Sequence, residues 1–529
     1  MADDIPDDAE DRFGDDSFHE ECGVFGVWNV PDAAAVTALG LHALQHRGQA
    51  SAGIVSFDGD KFHSHRGLGS VADNFGDQKV IDRLPGRTAI GHNRYATTGD
   101  TILRNVQPLY ADFEFGGFAV AHNGNLTNAH VLRRALVRRG CLFQSTTDSE
   151  VFIQLIAISL YSTVVDRLID ALKQVIGAYS LVTLSNEAMM GIRDPMGVRP
   201  LILGRIGSEG PSSSQGIGSS QAPSSSQGIG SSQAPSSSQA PSSSQAIGGW
   251  VLASETCALD IVNADFVRDV EPGEIVVIND QGVHSIRPFT RTPERFCVFE
   301  YIYFARPSSL MGGTSVYEAR KRIGRELAIE SAVDADIVVP VPDSGMPSAM
   351  GFSAESGIPF ELGIIRNQYI GRTFIEPSEH IRHLGVKLKH SANRPILKDK
   401  RVILVDDSIV RGTTSKKIVE MVRAAGASEV HMRISSPPTT HSCFYGIDTP
   451  ERSQLLAASH DVEQMARLIG VDSLAFVSID GLYRALGKVG RNPEKPFYCD
   501  ACFTGDYPIA LPDQADNADR QLSLLAEIR

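Results

Sequence analysis

What this chain lacks narrows the field before any motif is read. Seven cysteines among 529 residues are too few for a disulfide scaffold, and the odd count agrees. No apolar run approaches the roughly 18 residues that a membrane-spanning helix needs. The most apolar stretch, Phe152 to Val165, is broken by Gln154, Ser159 and Ser162 and reads as a buried helix. The N-terminus has no basic segment followed by an apolar one, so no secretory signal is expected and the cytoplasm is the default. Basic charge is scarce: 49 Lys and Arg stand against 63 Asp and Glu, a net −14, which argues against a general nucleic-acid binder. The deficit is local. Residues 1–21 hold ten acids and only Arg12, so the chain from Cys22 onward carries just −5. A Walker-type GxxxxGK[ST] loop is also missing.

What is present divides the chain in three. Residues 1–21 are polar, acidic and nearly free of aliphatics, an expected disordered leader. Residues 22–290 carry short β-like segments, with helical stretches at Asn128–Arg139 and from Ser149, the latter behind the capping signal Thr147-Asp148-Ser149-Glu150. Strands and helices without strict alternation suggest an α+β or αββα layered arrangement. Within this region PSSSQGIGSSQA occurs twice and PSSSQA twice more, with neither charge nor aromatic residue. This insert, 208–247, is expected to be a disordered loop joining the strands LILGRI and GWVLASE. From about 291 to 529 the pattern turns α/β: a helix over Val316–Glu330, buried strands at Ile337–Val341 and Val402–Val405, and a helix over Lys417–Ala425 closed by Gly426.

The segment between that last strand and helix carries the clearest chemistry. It runs Asp406, Asp407, Ser408, Ile409, Val410, Arg411, Gly412, Thr413 and Thr414. Free N–H groups at a helix N-terminus, a glycine allowing close approach and three hydroxyls make an anion cradle. Two acids ahead of a phosphate site make sense only if something lies between them and the phosphate. Ribose hydroxyls and Mg²⁺ both fit. The run VILVDDSIVRGTT resembles the phosphoribosyl pyrophosphate (PRPP) signature of type I phosphoribosyltransferases. In that fold the segment Pro340–Ser348 corresponds to the pyrophosphate loop, and its Ser344 joins Asp406 and Asp407 as the expected Mg²⁺ site. Residues from Arg366 through Arg372 and Lys387 to Lys389 resemble the basic flap that closes over PRPP.

Cys22 stands where the leader meets a strand pattern, CGVFGV. With residues 1–21 removed, its thiol and its α-amine would share one residue, and an amine titrating near about 8 can act as base to its own thiol. Polar motifs then recur in apolar, glycine-rich surroundings: His46-Arg47-Gly48-Gln49, Gly91-His92-Asn93-Arg94-Tyr95, His122-Asn123-Gly124-Asn125 and Thr147-Asp148-Ser149. In this order they resemble class II, N-terminal-nucleophile glutamine amidotransferases. The resemblance implies Cys22 as nucleophile, Arg94 on the glutamine carboxylate, Asp148 on its ammonium, and Asn123 with the Gly124 N–H as oxyanion hole.

Cys499-Asp-Ala-Cys502 could be completed into four thiolates by Cys443 and Cys297, with Cys141 and Cys257 as further candidates. Four thiolates suit zinc or an iron–sulfur cluster equally, and spacing alone leaves the partners open. The joining of the two domain types resembles the amidophosphoribosyltransferase family, in its propeptide-bearing, cluster-bearing branch. That resemblance selects Cys297, Cys443, Cys499 and Cys502 for a [4Fe–4S] cluster and leaves Cys257 in the core. It further implies an αββα glutaminase layer fold followed by a parallel-sheet α/β domain. It implies formation of 5-phosphoribosylamine, glutamate and pyrophosphate from PRPP, glutamine and water, purine nucleotides as inhibitors, and a homotetramer. Glucosamine-phosphate synthases and glutamate synthases share the amino-terminal motifs but lack VILVDDSIVRGTT. A PRPP-sensing regulator should bind DNA, for which the −5 body offers no basic face.

Overall fold

The computed structural model describes residues 22–94, 102–207, 248–367 and 390–515. The acidic leader, the Ser/Gln-rich insert and the flap residues Arg372, Lys387 and Lys389 lie outside the described residues. Among the described residues no helix is long and apolar enough to cross a membrane.

The first half is built on two antiparallel sheets. One runs in the order Ala264–Asp269, Ile202–Ile206, Gly249–Ala253, Gly23–Trp28, Thr88–Arg94, Ser51–Phe57, Phe62–Leu68. The other runs Gly282–Ile286, Ile275–Asn279, Met189–Arg193, Gly177–Ser185, Gly116–Leu126, Leu109–Phe113. Period-two alternation sends residues to both faces of each sheet. Val24, Trp28 and Ile90 meet Ala119, Ala121 and Val182 between the sheets. Phe25 and Val27 point outward onto the helices Ala33–Ala43 and Cys257–Ile261. Phe118 and Val120 point outward onto Glu150–Ile158 and Val164–Leu172. The result is the αββα layering that the motifs imply. The two strands flanking the insert pair directly, Ile206 opposite Gly249, so the insert springs from the end of a hairpin.

Two local expectations are corrected. Phe152 to Val165 is two helices: the first ends at Ile158, Ser159 is extended, and Thr163 caps the second by accepting the Asp166 N–H. Leu160 in the break is 99% exposed, so apolar composition there reports no core position. The expected capping box at 147–150 is only half formed: Thr147 Oγ1 accepts the Ser149 N–H at 3.0 Å, but Glu150 does not reach back to Thr147. Glu150 instead accepts from the Gln144 and Ser145 N–H groups, bracing the preceding loop, and Ser149 makes no cap bond.

In the second half, four parallel strands run Ile337–Pro340, Arg401–Asp406, Glu429–Ile434, Ser473–Phe476. Such strands are buried on both faces and read as continuous apolar runs. Val338, Ile403 and Val405 face the helices Val316–Glu330 and Met346–Ser356. Val339, Leu404 and Val402 face Thr413–Ala424 and Val462–Ile469. Adjacent parallel strands end together, so the loops after Pro340 and Asp406 emerge side by side at one sheet edge, where ligands bind in open α/β sheets.

Candidate functional site

Cys22 is buried at the head of the central strand Gly23–Trp28, and its carbonyl accepts from Arg47 Nε at 3.2 Å. Gly23 lies opposite Asn93, which continues the antiparallel register to place Arg94 across from Cys22. Asn123 and Gly124 come from the facing sheet. Gly124 has φ +141°, and a Cβ there would stand 2.0 Å from the Ala178 carbonyl oxygen, so only glycine fits. Both polar atoms of the Asn123 side chain are buried and make no hydrogen bond among the described residues. An unpaired buried amide costs about 1–3 kcal/mol.

Asp148 reaches the same strand end. Its Oδ2 accepts the Leu126 N–H at 2.9 Å and lies 3.7 Å from His122 Nδ1. Burial holds His122 below its usual pKa against the opposing pull of Asp148, and burial pushes His92 down to about 3. Burial thus disfavours the charged form of both imidazoles. A cavity of about 240 Å³ opens beside Asp148, bounded also by His130, Ile447, Asp448 and Leu511.

At the sheet edge of the second half, Asp406 ends its strand and Gly412, at φ +85°, begins the helix Thr413–Ala424. Asp407 is hydrogen-bonded by Ser344 and Ser408, and its N–H donates to Asp406 Oδ1 at 2.9 Å. Burial, then the neighbouring Asp407, drives Asp406 well above the usual carboxylate range, and burial raises Asp407 as well. Beneath them Arg320 is wholly buried, donating to the Tyr301, Tyr303 and Ala305 carbonyls at 2.7–2.9 Å. Burial lowers its pKa to about 10 against the pull of Asp407. Sequence reasoning overlooked Arg320, which sits mid-helix among charged neighbours. Arg366, expected in the flap, ends the short strand Ile364–Arg366 and ion-pairs with Asp343 of the second loop.

The two sites share a charged junction. Arg47 donates to Glu255 Oε1 at 2.5 Å and to Glu300 Oε1 and Oε2 at 2.8 and 3.0 Å, and all three side chains are fully buried. His46 and Ser309 also bind Glu255, each at 2.7 Å, and Arg199 Nη1 lies 3.7 Å from Glu300. Burial disfavours the Arg47 cation, but Glu300 and Glu255 outweigh it and raise its pKa. Glu255 goes down despite burial, through His46 and Arg47. Buried carboxylates survive only when paired in this way. Glu255 and Glu300 lie two and three residues from Cys257 and Cys297, where sequence reasoning weighed only the cysteines.

The cysteines also meet at this junction. Phe296–Cys297 and Tyr498–Cys499 form a short parallel pair with Cys297 opposite Cys499. Cys297, Cys499 and Cys502 are buried, Cys443 is half-buried, and none forms a disulfide. Burial pushes Cys499 up to about 12, with Cys443 adding to it; Cys502 rises through burial and then the three other thiols. Cys257 stands apart in the first-half core, as expected. Among the described residues no three His, Cys, Asp or Glu are gathered tightly enough to hold a single metal ion.

Comparison with known proteins bears on both halves. Residues 92–214 match a glutamine amidotransferase domain and residues 314–435 a phosphoribosyl transferase domain. The chain is 51% identical to the amidophosphoribosyltransferase of Rhizobium etli over 98% of each protein. It is 44% identical to that of Bacillus subtilis, covering 93% of this chain and 95% of the relative. The solved structure of the glutamine PRPP amidotransferase from B. subtilis, complexed with ADP and GMP, superposes with TM-score 0.81 at 43% identity, over 93% of this chain and 98% of that one. With a Cys22-headed sandwich, an acid-pair phosphate loop and full-length relatives in agreement, the chain belongs to the amidophosphoribosyltransferase family.

Proposed function

We propose that this chain makes 5-phosphoribosylamine, glutamate and pyrophosphate from PRPP, glutamine and water, the entry step of purine synthesis. The carrying observation is the joining, through one buried junction, of a strand headed by Cys22 to an acid-pair phosphate loop.

Once residues 1–21 are removed, the Cys22 α-amine takes the thiol proton. The thiolate adds to the glutamine carboxamide carbon, and the oxyanion is received by the Asn123 amide and the Gly124 N–H. Collapse to the thioester expels ammonia, protonated by the α-ammonium, and water then releases glutamate and restores the thiol. Arg94 holds the substrate carboxylate by its planar fork, and Asp148 holds the ammonium.

At the second site the 406–414 loop cradles the ribose 5′-phosphate while Asp406 and Asp407 face the ribose hydroxyls. The bond from the anomeric carbon to pyrophosphate breaks, positive charge develops on the ribosyl ring, and ammonia adds at that carbon and loses a proton. Bulk ammonia would be protonated at neutral pH, so its transfer runs between the sites inside the protein. The hard oxygens of Ser344, Asp406 and Asp407 suit Mg²⁺, which would offset the charge of the departing pyrophosphate.

Four soft, mutually perturbing thiols fit an iron–sulfur group. Cys297, Cys443, Cys499 and Cys502 would hold a [4Fe–4S] cluster in a structural role, since neither half-reaction moves electrons. A cradle for a ribose 5′-phosphate also admits purine nucleotides as inhibitors, and a homotetramer is the expected assembly.

The test is glutamate release by anaerobically purified protein, with and without PRPP and Mg²⁺. A sharp rise with PRPP is expected. Release indifferent to PRPP would assign ammonia to another acceptor.

A further inference from the structure

The cysteine-bearing loop Cys443-Phe-Tyr-Gly-Ile447 belongs by chain order to the second half, yet it packs on the strand end that carries Asn123 and Gly124. Asn125 Nδ2 donates to the Phe444 carbonyl at 2.9 Å. The fully buried Arg199 donates twice to the Tyr445 carbonyl, at 2.8 and 2.6 Å. Gly446, at φ +112°, comes so close that a Cβ there would stand 3.0 Å from both Cα and carbonyl carbon of Gly124. The loop is anchored from behind: Tyr445 Oη donates to the Ile509 carbonyl at 2.7 Å and accepts its N–H at 3.0 Å.

The strand it meets needs support there. Among the described residues Leu109–Phe113 pairs only with residues 116–120, so residues 121–126 have a single strand neighbour, Gly177–Val182. The Gly124 peptide lies between two backbones, the Ala178 carbonyl on one side and Gly446 on the other. A donor that must meet an oxyanion has to be oriented before the charge develops, and small misplacement forfeits much of its effect.

We propose that loop 443–447 is a positioning element for the glutamine site: Gly446 and the Asn125–Phe444 bond hold the Gly124 peptide in its oxyanion-binding orientation. The proposal rests on the reading of Asn123 and Gly124 as the oxyanion hole. It also means that damage at Cys443 reaches glutamine chemistry through the backbone, without electron transfer.

The experiment compares PRPP-stimulated glutamine turnover with ammonia-dependent phosphoribosylamine formation in the processed full-length enzyme. Gly446→Ala is expected to lower the glutamine kcat about 100-fold and Asn125→Ala about 10-fold. Glutamine KM should stay within about twofold, as expected for an interaction made only in the transition state. The ammonia-dependent rate and the visible absorption of the thiolate-held centre should match the parent. Asn125→Ala inserts no atoms and carries the test if Gly446→Ala does not fold. Parent kcat in both variants overturns the proposal, as does an effect confined to KM or an equal fall in both reactions. Asn123→Ala tests the reading beneath it. Full glutamine turnover in that variant defeats the oxyanion assignment and the proposal with it, whereas loss there beside parent-like Gly446→Ala and Asn125→Ala defeats the proposal alone.

Discussion

The two candidate sites are opposite kinds of construction. The phosphate loop is nine consecutive residues at the end of one strand, and its chemistry is local: two acids, hydroxyls, a glycine and a helix N-terminus. The proposed glutamine site draws Cys22, Arg94, Asn123, Gly124 and Asp148 from segments spread over more than a hundred residues, carried by both sheets of the sandwich. The first presents two neighbouring acids whose pKa values burial raises. The second holds a buried side-chain amide, Asn123, without a hydrogen-bond partner among the described residues. The one is written in a single loop; the other is distributed over two sheets.

Four experiments break or sharpen this contrast. Cys22→Ala should abolish glutamine turnover, a loss of about 10⁴-fold or more, and leave ammonia-dependent synthesis intact. Equal loss of both activities would deny that the sites are separately built. Arg47→Met should be next in size. It leaves Glu255 and Glu300 buried without their cation, at a cost of about 3–5 kcal/mol, read as a lowered denaturation midpoint. An unchanged midpoint would mean the junction does not hold the halves together. Asp407→Asn should cut PRPP-dependent synthesis roughly 100-fold by weakening the Mg²⁺ and ribose contacts, while basal glutamate release without PRPP stays at parent level.

The smallest effect concerns pH. His92 is held near 3 and His122 is also lowered, each below the ordinary value of about 6.5 that it regains on unfolding. Below that value the unfolded chain binds protons that the fold refuses, so stability should fall as pH drops, and for His92 it continues to fall towards about 3. Between about 6.5 and 3 the slope from His92 is about 1.4 kcal/mol per pH unit, and His122 adds to it in the same direction. Denaturation midpoints between pH 7.5 and 5 would measure it, and His92→Asn should flatten the slope. A midpoint that rises on acidification would show these imidazoles to be charged in the fold.

Legibility followed the same division. The strands Ile337–Pro340 and Arg401–Asp406 and the loop at 406–414 were readable because buried parallel strands are continuous apolar runs and the loop's residue types are constrained one by one. The stretch 152–165 misled because apolar composition does not say where a helix stops; Ser159 and Thr163 do. Glu150 misled because a carboxylate near a helix start has other donors within reach.

By itself the sequence determined the order of the halves, the place of the acid-pair loop between a strand and a helix, and which cysteines and polar residues to watch. These are properties of short segments, fixed by residue type and spacing. Only the tertiary structure decided that Arg47 joins Cys22 to Glu300, that Arg320 underlies Asp407, and that Gly446 lies against Gly124. Such contacts join residues up to hundreds of positions apart, and they arise from packing two cores together. No local pattern encodes which buried charge or which bare backbone will be its neighbour.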